Sequence, residues 1–203
     1  MTDRLPDTPE GIRRAAEFLR DGALVAFPTD TVHGLACRAD DPAALDRLFA
    51  LKGRPPDRRI AWLVTNLEQA EGLGLVVDDR ARAVAKAMWP GGITLILPVR
   101  GGASEAGTLG VRAPDHRVAQ ALLSVTGPLP VTSANPHGYP ECYSADDVLI
   151  AFAGAADLAA VIEGDSPGGV SSSVLDLSLP RARLLRAGAI ERDRLEAVVG
   201  PID

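Results

Sequence analysis

Short apolar runs alternate with segments of helical period along this sequence, and that alternation restricts the chain to a sheet faced by helices. Thr8 supplies an N-cap and Pro9 occupies the first helical position; Ile12, Ala15, Ala16 and Leu19 follow at helical spacing, and Gly22 is the stop. Ala23 to Phe27 then reads as a buried strand, closed by Pro28, which has no N–H to give to a ladder. Thr29 to Ala39 reads as a loop. Asp41 and Pro42 open a second helix that buries Leu45, Leu48 and Phe49 and stops at Gly53, leaving Lys52 at its end. The rhythm continues with strands over Ile60 to Val64, Ile93 to Leu97, Leu109 to Arg112 and Leu129 to Thr132. Between them lie a helix over Asp78 to Trp89 and one capped by Asp115 with Val118, Leu122 and Val125 inward. The remainder predicts a helix after Ser144, strands at Leu158 to Ile162, Ser173 to Leu177 and Arg183 to Leu185, and a last helix from Ile190. No internal repeat or long linker divides the chain. The expectation is one α+β (mixed α/β) domain over residues 1–203: a twisted sheet of parallel and antiparallel strands with flanking helices.

Composition narrows the function. A formal net charge of −6 opposes a broad electrostatic footprint on nucleic acid, so any cationic site must be local. Such a concentration exists: Arg47, Lys52, Arg54, Arg58 and Arg59 face a single acid, Asp57. No apolar run approaches the ~18 residues of a membrane span, and the polar start MTDRLPDTPE does not suit a signal peptide, so a cytoplasmic protein with no membrane association is expected. Cys37 and Cys142 are read as reduced thiols.

Polar residues gather where predicted strands and helices end: Thr29-Asp30-Thr31, Lys52-Gly53-Arg54, Thr108 to Arg112, Thr132-Ser133-Ala134-Asn135, Ser171-Ser172-Ser173 and Arg186. Strand ends are where sheet proteins bind ligands, although Ser, Thr and Asn there also cap helices and close turns. Lys52 offers a point charge and Arg54 a planar fork, a pair suited to a polyphosphate or equally to a solvated helix end. Arg112 ends an apolar strand and so requires an anion, either a protein carboxylate or a substrate carboxylate. The chain lacks G-x-x-x-x-G-K-[ST], G-x-G-x-x-G and G-x-S-x-G, which disfavours a P-loop kinase, a dinucleotide dehydrogenase and a serine esterase. His33, Cys37, His137 and Cys142 have zinc-compatible chemistry but not the spacing of a zinc knuckle, and no metal held by the protein is expected.

FPTDTVHGL at Phe27 to Leu35, LKGRP at Leu51 to Pro55, PGGITLIL at Pro90 to Leu97, LGVRAPDH at Leu109 to His116, TSAN at Thr132 to Asn135 and SSVLDL at Ser172 to Leu177 together resemble one family. It is that of the YrdC-like threonylcarbamoyl-AMP synthases. The resemblance implies a deep basic cavity and a nucleotidyltransferase that converts L-threonine, bicarbonate and ATP to threonylcarbamoyl-AMP and pyrophosphate. Downstream tRNA threonylcarbamoyl-transfer proteins would pass the group to adenosine in tRNA, and Mg²⁺ would accompany ATP. By the family's pattern Lys52, Arg54, Ser133 and Asn135 act on the phosphates during transfer. Thr31, Arg112 and Ser172 hold threonine, while Arg58, Thr108, Thr132 and Arg186 join the nucleotide side. The chain departs from the pattern at His33, where tyrosine or phenylalanine is usual, and at Arg58 and Arg59, in place of a lysine and a proline. Arg117 and Ala187 stand where proline is common, and Glu141 where a small hydroxyl residue is usual. Two other readings use the same residues: a non-catalytic RNA-binding module with weak affinity for tRNA, and a paralogous enzyme handling a carbamoyl-adenylate.

Overall fold

Local signals set the first helix. In the computed structural model, which describes residues 2–53, 60–101 and 107–203, β1 (Asp3–Leu5) precedes α1 (Pro9–Arg20). The Thr8 side chain accepts from the Gly11 N–H, and Pro9 fills the first turn where no N–H is needed. The same logic opens α2 (Pro42–Lys52), where Asp41 accepts from the Ala44 N–H. Gly53 then closes the helix in the left-handed region at φ 60°, which fixes Lys52 as its last residue.

The other elements are β2 (Leu24–Phe27), β3 (Gly34–Ala36), β4 (Ala61–Leu63), α3 (Leu67–Gly72), α4 (Asp79–Met88), β5 (Ile93–Pro98), β6 (Thr108–Arg112) and α5 (Arg117–Thr126). They continue with β7 (Leu129–Ser133), α6 (Ala145–Ala151), β8 (Leu158–Ile162), β9 (Ser173–Asp176), β10 (Arg183–Arg186) and α7 (Arg192–Val199). Among the described residues, ten strands join one sheet in the order β1-β8-β2-β3-β7-β4-β6-β5-β9-β10. Parallel pairs (β1/β8, β2/β8, β4/β6, β5/β9) mix with antiparallel ones, as the α+β reading expects. Among the described residues no helix is long and apolar enough to cross a membrane.

Alternation along the strands distributes three apolar clusters. On one face of the first half of the sheet, Val25 and Phe27 of β2 pack with α1 and α5. Leu24 and Ala26 point the other way, into a cluster with α2 and α6. The second half is covered on one face, where Ile93, Leu95 and Leu97 of β5, Val111 of β6 and Leu175 of β9 meet α4 and α7. The opposite face of these strands carries the candidate site.

The structure departs from the sequence reading at several elements. The segment Thr29 to Ala39, read as a loop, contains β3, three residues long and too short for a period to register, yet paired on both sides by β2 and β7. β1 and α3 are likewise short and had no reading. The cap of α5 is His116, whose Nδ1 accepts from the Val118 N–H at 3.2 Å, while the expected cap Asp115 is exposed. Val125 is 53% exposed in the last turn of α5, on the wall of a hollow, rather than inward. The last helix begins at Arg192, two residues beyond Ile190.

The two positions of α5 separate the observed register from the expected one. Leu122→Ala, in the fully buried stripe, should lower unfolding free energy by ~2–5 kcal/mol, and Val125→Ser should change it by less than about 0.5 kcal/mol. Urea denaturation of both variants checks this; equal losses would contradict the placement of the helix.

Candidate functional site

The residues of β5, β6 and β9 that turn away from the third cluster form the floor of a cavity of about 350 Å³. Thr94 and Ile96 alternate with the buried Ile93, Leu95 and Leu97; Gly110 and Arg112 flank Val111; Ser172 and Val174 precede Leu175. Ala61 and Leu63 add the β4 side, and segments 29–34 and 131–133 wall it. Gly34 is needed at that wall, because a Cβ there would sit 2.8 Å from the Val131 side chain.

Arg112 comes off the end of β6 and is 7% exposed. Its Nε donates to the Gly91 carbonyl at 3.0 Å, one terminal nitrogen to Thr31 Oγ1 at 3.0 Å and the other to Asp30 Oδ1 at 2.7 Å. The anion that the sequence required is thus Asp30, a residue of the first motif. A guanidinium has five N–H donors, so two remain for a ligand. The loop that brings Asp30 and Thr31 there is a self-contained turn: the Thr29 hydroxyl donates to the Val32 carbonyl at 2.7 Å and accepts from the Thr31 N–H at 3.2 Å.

Across the floor, Arg186 donates to the Ser172 carbonyl at 2.9 Å and to Ser172 Oγ at 3.0 Å. Ser172 Oγ also lies 3.0 Å from Thr94 Oγ1. Partial burial and the nearby Arg112 draw the Arg186 pKa down, and Glu141 opposes that fall. The Ala189 N–H donates to the Ser171 carbonyl at 3.0 Å, and the backbone at Gly188 passes so close that a Cβ there would lie 2.3 Å from that oxygen.

Lys52 lies behind the β7 wall and is 4% exposed. Its ammonium donates to the carbonyls of Ser133 and, at 2.6 Å, of Asn135, while its own carbonyl accepts from the His137 N–H at 2.7 Å. These bonds staple the end of α2 to the Thr132–Asn135 loop, and the ammonium also lies 3.5 Å from the hydroxyl of Ser133. Thr132 and Ser133 line the cavity. Asn135 is buried beside it; its amide donates to the Pro136 and Tyr139 carbonyls, and its Oδ1 has no hydrogen-bond partner among the described residues. Thr108 lies outside the lining, at the start of β6 and two residues before Gly110. Arg54, Arg58 and Arg59 lie outside the described residues.

Two departures from the family pattern meet the cavity. His33 is fully buried, with Nδ1 2.9 Å from Ser166 Oγ, which also accepts the Thr29 N–H at 3.1 Å. Burial, reinforced by His116, lowers its pKa from 6.5 to about 4. Glu141 contributes a carboxylate to the lining. Arg117, a third departure, sits on the surface and pairs with Asp7. The cysteines are buried, and burial raises Cys37 to about 12 and Cys142 to about 11, far from thiolate chemistry. Among the described residues no three His, Cys, Asp or Glu gather as a metal site.

The structure brings Thr31, Arg112, Thr132, Ser133, Ser172 and Arg186 around one hollow, with Lys52 and Asn135 behind its wall. The sequence places Asp30 in a strand-end polar motif without giving it a role, and it does not single out Thr94 or Ser166. For Thr94 a signal existed, a hydroxyl in an otherwise apolar strand. Ser166 comes from a segment with no periodicity to place it.

The family model for Sua5, YciO and YrdC, described as "Telomere recombination", matches residues 17–188. The chain is 37% identical over 210 residues to the threonylcarbamoyl-AMP synthase of Bacillus subtilis (strain 168), covering all of this chain and 60% of that protein. It is 36% identical to a putative threonylcarbamoyl-AMP synthase of Mycobacterium leprae (strain TN), covering 95% of this chain and 89% of the other. A crystal structure of Pyrococcus abyssi Sua5 complexed with L-threonine superposes with a TM-score of 0.90 at 35% identity, covering this whole chain and 62% of that one. The chain thus spans about three fifths of the length of the Bacillus and Pyrococcus proteins.

Two outcomes test the site's electrostatics. Asp30→Ala leaves the buried Arg112 without its carboxylate and should cost ~3–5 kcal/mol in chemical denaturation; a loss below 1 kcal/mol would place the pair in solvent. His33 stays neutral in the folded chain down to about pH 4 but takes up a proton near 6.5 when unfolded. Its stabilisation is therefore complete above pH 6.5 and is lost as pH falls towards 4, ~3 kcal/mol in all. The wild-type minus His33→Gln difference in unfolding free energy should decline across that window; a difference independent of pH would contradict the assignment.

Proposed function

This chain belongs to the Sua5/YciO/YrdC family, and from that premise we propose that it is a threonylcarbamoyl-AMP synthase acting in tRNA threonylcarbamoyladenosine biosynthesis. The observation that carries the reading is the pair Arg112 and Arg186 on one polar, helix-free sheet face, each tied to a hydroxyl residue of the cavity, Thr31 or Ser172. Guanidinium forks match carboxylate and phosphate, the two anions that threonine and ATP present. The threonylcarbamoyl-AMP synthase names of the relatives and the threonine complex of the Pyrococcus protein support the same reading.

In this proposal the free N–H groups of Arg112, with Thr31 and Ser172, receive the threonine carboxylate. The neutral amine joins bicarbonate to form a carbamate with loss of water. A carbamate oxygen then attacks the α-phosphorus of ATP, and pyrophosphate leaves. Arg186, Thr132 and Ser133 position the phosphates and stabilise the charge that builds up in transfer. Lys52 acts by fixing the loop that carries Ser133 and Asn135 and by lending its positive charge from behind it. No side chain becomes a covalent intermediate. Arg54 and Arg58 belong to the nucleotide side by motif. Mg²⁺ entering with ATP would neutralise phosphate charge; a site without a cluster of three or more ligating side chains among its described residues fits an ion that keeps phosphate and water ligands. Threonylcarbamoyl-AMP would pass to tRNA threonylcarbamoyl-transfer proteins in the cytoplasm, with weak tRNA binding at most for a chain of net charge −6.

Purified protein should release pyrophosphate from ATP only with L-threonine and bicarbonate together, and carbon from labelled bicarbonate should appear in the adenylate. Ser133→Ala should slow turnover by about 10²-fold, the loss typical of one oriented donor at a developing charge. Pyrophosphate release that is equal without threonine would overturn the assignment.

A further inference from the structure

Glu141 is the one acidic residue among the described residues that line the cavity, where the other fixed charges are Arg112 and Arg186. Asp30, the nearest acid of the first motif, is spent on Arg112. Glu141 has no ion pair within 4.0 Å among the described residues, and its side chain's one hydrogen bond there is a long 3.5 Å contact from the Tyr143 hydroxyl. Its backbone is tied on both sides: the Tyr139 carbonyl accepts from the Asn135 amide at 2.7 Å, and the Cys142 carbonyl accepts from the His33 N–H at 2.9 Å. A carboxylate with spare lone pairs is thereby held at the wall that follows Ser133.

An unpaired carboxylate beside a triphosphate is repulsive unless a cation lies between them. We propose that Glu141 is a protein ligand for the divalent cation that enters with the nucleotide, bridging this wall to the phosphates. A single hard oxygen ligand completed by phosphates and water is how Mg²⁺ is ordinarily held at nucleotide sites. The placement favours the cation of the nucleotide over the ammonium of the amino acid. Glu141 follows the Thr132–Asn135 loop and acts on Arg186, both on the nucleotide side, whereas the threonine carboxylate belongs to Arg112. The inference rests on the function proposed above and adds to it a residue outside the family pattern, which has a small hydroxyl at this position.

The test is calorimetric titration of the non-reacting analogue α,β-methylene ATP, with and without MgCl₂, into wild type, Glu141→Gln and Glu141→Ser, alongside L-threonine titration without nucleotide. Mn²⁺ electron paramagnetic resonance reads the ion directly in the complexes. Magnesium should tighten analogue binding to wild type, and both variants should lose at least about tenfold of that gain, the low end of what removal of even an outer partner of a bound metal costs. Without magnesium the variants should bind the analogue at least as tightly as wild type, since the repulsion is gone, and threonine affinity should not change. A full magnesium gain in both variants would overturn the proposal, as would weakened threonine binding with that gain intact, which would assign Glu141 to the ammonium. Wild type that binds neither analogue nor threonine would refute the synthase reading itself, and this inference with it.

Discussion

The Arg112 guanidinium organises the sheet face that carries the cavity. Buried at the end of β6, it must be compensated, and Asp30 compensates it across 82 residues of sequence. That pairing, with the bonds to Thr31 and Gly91, draws together the loop after β2, the turn before β5 and the end of β6. The cavity is the space these three segments leave between them and the serine segment of β9. Because three of the five N–H donors are consumed inside the protein, the remaining two are oriented before any ligand arrives, and little ordering is left to be done on binding.

A second constraint comes from the helices. Four of them cover both faces of the first half of the sheet, while α4 and α7 cover one face of the second. The uncovered face would be an apolar liability if its strands were uniformly hydrophobic. Thr94, Gly110 and Arg112 stand there, with Ser172 just before β9, among the apolar Ile96 and Val174, while Ile93, Leu95, Val111 and Leu175 point into the core. Lys52 completes the arrangement by joining α2 to the loop after β7 in both directions, so that the wall bearing Ser133 and Glu141 is braced from the first half of the sheet.

Much of this was legible in the sequence, for identifiable reasons. Helices with strong caps, such as α1 after Thr8 and α2 between Asp41 and Gly53, are specified within a dozen residues. The strand-end polar motifs named the cavity's members, because polar residues that close apolar strands have few other places to go. Three-residue strands such as β3 leave no period to detect, and they exist through pairing with neighbours remote in sequence. Residue type could not show whether Arg112 meets a protein or a substrate carboxylate, since both satisfy the same charge. The sequence marks Lys52 as a cation for phosphate but does not show its bonds to the Ser133 and Asn135 carbonyls, which depend on how the chain passes the end of α2.

A crystal structure grown with L-threonine and α,β-methylene ATP tests the central claim most directly. The account expects the threonine carboxylate on the two remaining N–H groups of Arg112, with the phosphates between Arg186 and Ser133. Clear density for both ligands elsewhere on the molecule, with this cavity holding only water, would contradict it.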